Sequence, residues 1–336
     1  MKVCADCFRD TEIKQFIKSN SSETGQCRYC SRISQLIELD EIADFFDSLL
    51  SIYVENSDGI ELYKILQQDW NLFSFDSNVE NIISDIIREL GLSFSSSLVK
   101  VVHIEEIDEC ISFWDILKED LKKRKRYLSN ITEYGWDTLF DVNSIIDKRT
   151  LLYRARIHHS INEEKPFKID KMGCPPMSLS EGRANPRGIP YLYLAKEIET
   201  TYYETRAIYL DYISIGIFKV KDNINLKITD FTKRLSPFNN STNIVEFTKG
   251  VLLRSIISRD LSKPLHRFDS DLEYIPTQFI CEFIRYICGS DGVQFFSSLK
   301  EDGVNLVLFE EDKVSCQAVE LHQVTRINID SKIIPF

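Results

Sequence analysis

Apolar positions change their spacing twice along the chain, and each change predicts a different kind of structure. Residues 1–33 are polar and carry no sustained apolar period. From 34 to 145 the spacing is helical. In "SQLIELDEIADFFDSLLSIYV" the residues Leu36, Leu39, Ile42, Phe46, Leu49 and Leu50 recur at helical intervals, which puts them on one face. "NVENIISDIIRELG" repeats the pattern with Ile82, Ile83, Ile86, Ile87 and Leu90, and Gly91 supplies a stop. A third helix is predicted from about Ile111 to Leu128. Beyond residue 150 the apolar runs shorten. "LLYRARI", "GIPYLYLA", "YISIGIFKV", "GVQFFSS", "GVNLVLF" and "CQAVELHQV" are rich in β-branched and aromatic residues, as strands are. Helices are predicted between them at Lys196 to Leu210, Ile244 to Leu261 and Ile275 to Cys288.

Three regions follow: 1–33, a helical region at 34–145, and a mixed domain at 150–330. The fold class is α+β with a mixed sheet, not a doubly wound one. No GxGxxG follows a strand and no GxxxxGK[ST] occurs, so neither a Rossmann crevice nor a phosphate loop of that type is expected. The longest apolar runs fall well short of a membrane span, and "MKVCADCFRD" has no apolar signal core. A cytoplasmic protein without a membrane partner is expected, compatible with either a monomer or an oligomer.

Charge changes the picture further. Residues 1–150 hold 17 Lys and Arg against 28 Asp and Glu, while residues 151–336 hold 24 of each, so the formal net charge of −11 resides in the first half. An acidic half is a poor general binder of nucleic acid, which requires phosphate neutralisation. The basic run "KKRKR" at 122–126 follows "KED" and reads as a solvated helix face.

The cysteines give the polar N-terminus a purpose. Cys4, Cys7, Cys27 and Cys30 form two CxxC knuckles separated by 19 residues, a spacing suited to structural zinc. Four thiolates would complete a tetrahedron and leave no open position for chemistry. The other five cysteines lie mostly in apolar settings and read as core filling.

Candidate chemistry lies in the second half. "YRAR" places Tyr153, Arg154 and Arg156 in the strand that opens the domain, with both arginines on one face. One of them should lie near a sheet edge or be paired. "SEGRANPRGIPYLYLA" sets Arg183 and Arg187 among Gly182, Pro186, Gly188 and Pro190, ahead of a buried strand. "TTYYETRA" puts Glu204 at the centre of a predicted helix, and Ser297 and Ser298 end the strand "GVQFF".

Taken in order, "LYRAR … GRANPRGIPYLYLA … TYYETRA … GVQFFSSLKEDGVNLVLF" resembles the RES domain family over roughly residues 150–325. The resemblance implies a fold similar to ADP-ribosyltransferases and an NAD-degrading enzyme, several of whose relatives are toxins. It implies phosphorolysis, with NAD and inorganic phosphate as substrates and nicotinamide and ADP-ribose 1″-phosphate as products. Matched residue by residue, Arg154 and Arg183 would bind phosphate or pyrophosphate, for which a guanidinium fork is suited. Gly182 and Gly188 would let the backbone and Arg183 close on an anion. Tyr193 would line the nicotinamide or ribose pocket, with Tyr153 and Arg156 also toward substrate. Glu204 would stabilise the oxocarbenium-like centre. Ser297 would hydrogen-bond phosphate or carboxamide, and Ser298 is the alternative match for the family serine. The family's usual Trp between the turn's Arg and Asn is Ala184.

The upstream arrangement resembles a HEPN-type helical region. No Arg-x4-His pair occurs in residues 34–145, so a sensing or docking role is expected, with the acidic surface meeting an inhibitory antitoxin or an activating sensor, in toxin–antitoxin control or antiviral defence. Other readings of the same residues are an ADP-ribosyltransferase or an NAD hydrolase, a HEPN-type ribonuclease, and an inactive binding protein. The ribonuclease reading would use Arg154 and His159 at Arg-x4-His spacing, although His158 and His159 are expected at an exposed strand end.

Overall fold

The computed structural model describes residues 1–126, 140–159, 165–177, 181–239, 243–263 and 271–328. The chain divides into two compact units, Met1–Asp115 with Arg234–Leu253, and Ile116–Lys233 with Arg254–Phe336.

In the first unit β1 (Lys2–Cys4), α1 (Thr11–Asn20), β2 (Glu23–Gln26) and β3 (Ile33–Glu38) come first, and the three strands form an antiparallel sheet in the order β1-β3-β2. Asp10 starts α1 by accepting from Glu12 N and Ile13 N, as an N-cap aspartate does. Then follow α2 (Asp40–Leu50), β4 (Tyr53–Glu61), α3 (Leu62–Trp70), α4 (Val79–Leu90), β5 (Lys100–His103) and α5 (Glu105–Lys123), of which the residues up to Asp115 belong to this unit. Asn78 caps α4, and Gly91 closes it at φ 63°, a left-handed stop.

The apolar faces read from sequence are buried: Ile42, Phe46 and Leu49 on α2, and Ile82, Ile83, Ile86 and Ile87 on α4. Leu36 is also buried, but it lies on β3, because the helix begins only at Asp40. Residues 34–145 are not purely helical, since β4 and β5 pair antiparallel. β4 gives no strand signal because six of its nine residues are exposed, four of them the consecutive polar run Glu55–Asp58, so no alternation marks it. Within this unit Phe247 stacks on Trp70 at 6.1 Å, and Phe238 packs on Phe45 and Phe46.

The second unit holds β6 (Asn143–Ile146), β7 (Leu151–Ile157), β8 (Leu192–Ala195), α6 (Ile198–Glu204), β9 (Tyr212–Val220) and β10 (Leu226–Asp230). After these come α7 (Ile244–Ser262), which runs from the first unit into this one, α8 (Ile275–Tyr286), β11 (Gly292–Phe296), β12 (Val304–Leu308) and β13 (Val314–Gln323). The eight strands form one mixed sheet in the order β13-β9-β7-β8-β12-β11-β10-β6, in which only β10 and β11 pair parallel. The α+β class with a mixed sheet is therefore observed. Helix α6 is half as long as its apolar pattern suggests, because Arg206 (φ 52°) and Leu210 (φ 71°) turn the chain left-handed. Helix α5 ends at Lys123, and Tyr127 and Leu128 lie outside the described residues. Its basic run is ion-paired, Lys122 with Glu273, Lys123 with Glu119 and Arg124 with Asp120.

Candidate active site

The "GRAN" turn is built around one tyrosine. Tyr193, on β8, donates its hydroxyl to Asn185 Oδ1 (2.7 Å) and accepts from Ala184 N (3.1 Å). A Cβ on Gly182 would lie 2.5 Å from that hydroxyl, so glycine is required for the tyrosine's approach. Gly188 does serve a turn, at φ 91°. From α8, Gln278 Nε2 donates to Gly182 O (2.9 Å) and Asn185 O (3.1 Å), and Thr277 Oγ1 donates to Arg183 O (2.7 Å). Arg183 then extends to Leu261 O near the end of α7 (3.0 Å), while Arg187 is exposed. Burial lowers the pKa of Arg183 and raises that of Tyr193.

Arg154 and Arg156 share a face of β7, as alternation requires. Neither is at a sheet edge, because β7 runs between β9 and β8. Arg154 Nη1 donates to Tyr193 O (3.1 Å), and Arg156 Nη2 donates to Gly173 O (2.8 Å). Each Nε is buried without a hydrogen-bond partner among the described residues. Burial, with the neighbouring charge of Arg156, lowers Arg154 to about 10, so both remain cationic at neutral pH.

Glu204 is the last residue of α6, not its centre. Its Oε1 accepts from Ser297 Oγ (2.6 Å) and Asn305 Nδ2 (2.7 Å). Ser297 Oγ itself accepts from Leu299 N (3.1 Å) and Lys300 N (3.2 Å). One hydroxyl has one donor and two acceptor sites, so that of Ser297 is fully engaged within the loop.

These groups meet at a cavity of about 380 Å3. Tyr153, Arg154, Arg183, Tyr193, Glu204 and Ser298 line it, together with Arg206, Ser262 and Asn305, which sequence reasoning did not single out. Ser297 and Arg156 are not among the lining residues. A wall with three arginines and one carboxylate suits an anionic ligand that carries a site of developing positive charge. Asn305 was legible only as the Asn of "GVNLVLF"; its contact with Glu204 comes from tertiary pairing.

His158 is buried, not at an exposed strand end. Its ring stacks on Phe167 at 4.1 Å and its Nε2 meets Ser214 Oγ at 2.8 Å. The Arg154 of the alternative Arg-x4-His pair is engaged inside the sheet, and His159 is exposed.

In the first unit the Sγ atoms of Cys4, Cys7, Cys27 and Cys30 all lie within 4.8 Å of one another. Three of the distances are 3.8, 3.5 and 3.5 Å. A tetrahedron with metal–sulfur bonds of about 2.3 Å has edges of roughly 3.8 Å, so the cluster fits one metal ion. Tyr29, beside Cys27, anchors the second knuckle to α4 through Asp85 Oδ2 (2.8 Å).

No helix among the described residues is long and apolar enough to cross a membrane. No curated protein matches the chain. A chain of the M. tuberculosis MbcT–MbcA toxin–antitoxin complex is similar at 14% identity and a TM-score of 0.30, covering 57% of this chain and 92% of that one. The family model of the RES domain matches residues 151–330. That span is more than half of the chain and holds seven of the eight sheet strands and every residue lining the cavity. The chain belongs to the RES domain family.

Proposed function

We propose that the chain is an NAD-degrading enzyme of the toxin type, and that it splits NAD by phosphorolysis to nicotinamide and ADP-ribose 1″-phosphate. The observation that carries this reading is the placement of Glu204, held by Ser297 and Asn305, on the same cavity wall as Arg154 and Arg183. Loss of nicotinamide leaves positive charge on the ribose, and a fixed carboxylate stabilises that charge as it develops. Arg154 and Arg183 would hold the pyrophosphate and the incoming phosphate. Ser298, on the wall, would contact phosphate or carboxamide, while Ser297 would hold Glu204. Tyr193 would shape the pocket by fixing the Arg183 turn, Tyr153 would line it, and Arg156 would tie down the segment at Gly173.

The four cysteines would bind structural zinc, in a segment too small to fold on a core of its own. An NAD-consuming toxin requires restraint, and an inhibitory antitoxin or a sensor acting through the acidic first half would supply it. Region boundaries at about 33, 145 and 150 remain part of this proposal.

The test is nicotinamide release from NAD by the purified chain, with and without inorganic phosphate, and mass analysis of the second product. Phosphate-dependent release with an ADP-ribose phosphate product is expected. Release without phosphate would replace the reading with a hydrolase or transferase, and full turnover by Glu204→Gln would overturn the site.

A further inference from the structure

We infer that Asn305 is a positioning residue that makes Glu204 work through one oxygen. The inference rests on the reading of Glu204 as the group that stabilises the reacting ribose. Two donors converge on Oε1: the Ser297 hydroxyl at 2.6 Å and the Asn305 amide at 2.7 Å. They approach from different elements, Ser297 from the turn after β11 and Asn305 from β12. The turn is itself fixed, since Ser297 N donates to Gly303 O at 2.7 Å and the Ser297 hydroxyl accepts from Leu299 N and Lys300 N. β12 is fixed by pairing with β11 and β8, with Asn305 opposite Phe295 and Ala195.

Glu204 needs such fixing because of where it sits. It ends a helix of seven residues and is followed by left-handed Arg206, so its own backbone gives it little support. With Oε1 engaged twice, the plane of the carboxylate is set and Oε2 is left as the oxygen for a ligand in the cavity. Neutral donors hold the carboxylate without cancelling its charge, whereas a lysine or arginine at the same place would cancel it. Asn305 therefore supplies orientation and leaves the charge to act on the substrate.

Two substitutions test this, with nicotinamide release as the assay and thermal melting as the check on folding. Asn305→Leu keeps the volume and removes the donor. A kcat lower by on the order of 100-fold is expected, the scale of a misplaced reacting group, with KM for NAD changed far less. Asn305→Asp replaces the amide with an isosteric carboxyl beside Glu204. Two carboxylates at that distance share one proton, and the upper pKa of the pair rises above the ordinary carboxylate range. Arg183 and Arg206 on the same wall oppose the rise, and Glu197, the residue before α6, is engaged by Thr200 Oγ1 and by Val304 N at the start of β12.

Below that upper pKa the shared proton restores the donor. Asn305→Asp should thus gain activity as pH falls, relative to the wild type at the same pH. A purely structural role predicts lower melting in both variants, unchanged kcat per folded molecule and no new pH limb, and that result would overturn the inference. Failure of the underlying reading looks different: Glu204→Gln would turn over NAD at the wild-type rate, or the wild type would release no nicotinamide, and the inference would fall with it.

Discussion

Gln278 is the side chain on which the Arg183 turn most depends. It is buried on α8, and its one amide nitrogen donates to both Gly182 O and Asn185 O, at 2.9 and 3.1 Å. Gln278→Leu fills nearly the same space and removes both bonds. Asn185 O keeps Gly182 N as a donor at 3.1 Å, so it loses a second bond worth about 1 kcal/mol. Gly182 O loses its amide donor in a buried setting, at about 1–3 kcal/mol. The sum is about 2–4 kcal/mol, which lowers the melting temperature of a unit this size by on the order of 10 °C. Gln278→Glu should be worse, because it sets a carboxylate oxygen against two carbonyls. Because the turn carries Arg183, loosening it should also raise KM for NAD more than it lowers kcat. Scanning calorimetry and nicotinamide-release kinetics read the two effects separately. A Gln278→Leu protein that melts and turns over like the wild type would show that the turn stands without α8.

Arg154→Met should abolish turnover yet leave melting unchanged or raised, since it removes a buried charge whose Nε has no hydrogen-bond partner among the described residues; a large drop in melting temperature would mean that the guanidinium is structural. Gly182→Ala drives a Cβ into the Tyr193 hydroxyl, and Tyr193→Phe removes that hydroxyl, so in a double-mutant cycle the pair should cost less than the sum of the singles; additivity would refute the contact. Metal analysis should find a single zinc per chain, and Cys27→Ser or chelation should destabilise the first unit; a metal-free protein of full stability would refute the site. His103 sits between Asp69 (2.8 Å) and Asp108 (3.5 Å); burial lowers its pKa, but the two carboxylates outweigh it and hold the pKa above 6.5. Its stabilisation is complete below about 6.5, the unfolded value, and is lost as pH rises through the folded value, so urea midpoints at pH 6 and 8 should differ less in His103→Gln than in the wild type.

What the sequence made legible was whatever a local pattern encodes. "YISIGIFKV" coincides with β9 because a buried interior strand is rich in β-branched residues, and "LLYRARI" coincides with β7, a short run of apolar residues alternating with arginines. Helix α4 was legible from its apolar face and Gly91, and the cysteine cluster from spacing alone. Features set by tertiary context were not. β4 is exposed and irregular, so no alternation marks it. Helix α6 ends where arginine and leucine, not glycine, take positive φ. Residues 234–253 belong to the first unit although they follow the sheet's fifth strand in chain order, β10, and Phe238 and Phe247 show no sign in sequence of the aromatic rings they meet.

The candidate site divides in the same way. Arg154, Arg183 and Glu204 could be matched by motif, because the proposed chemistry turns on the identity of these residues. The groups that aim them, Gln278, Asn305 and the Tyr193 hydroxyl, act across separations of 93, 101 and 8 residues. The glutamine and the asparagine on ordinary elements carry no signal of that work, and the motif match marks the tyrosine as a pocket residue without showing that its hydroxyl holds the turn. Motif order can name the groups proposed to meet the substrate, but their placement depends on strand register and on one buried amide, and the Gln278 and Asn305 substitutions measure that part of the site.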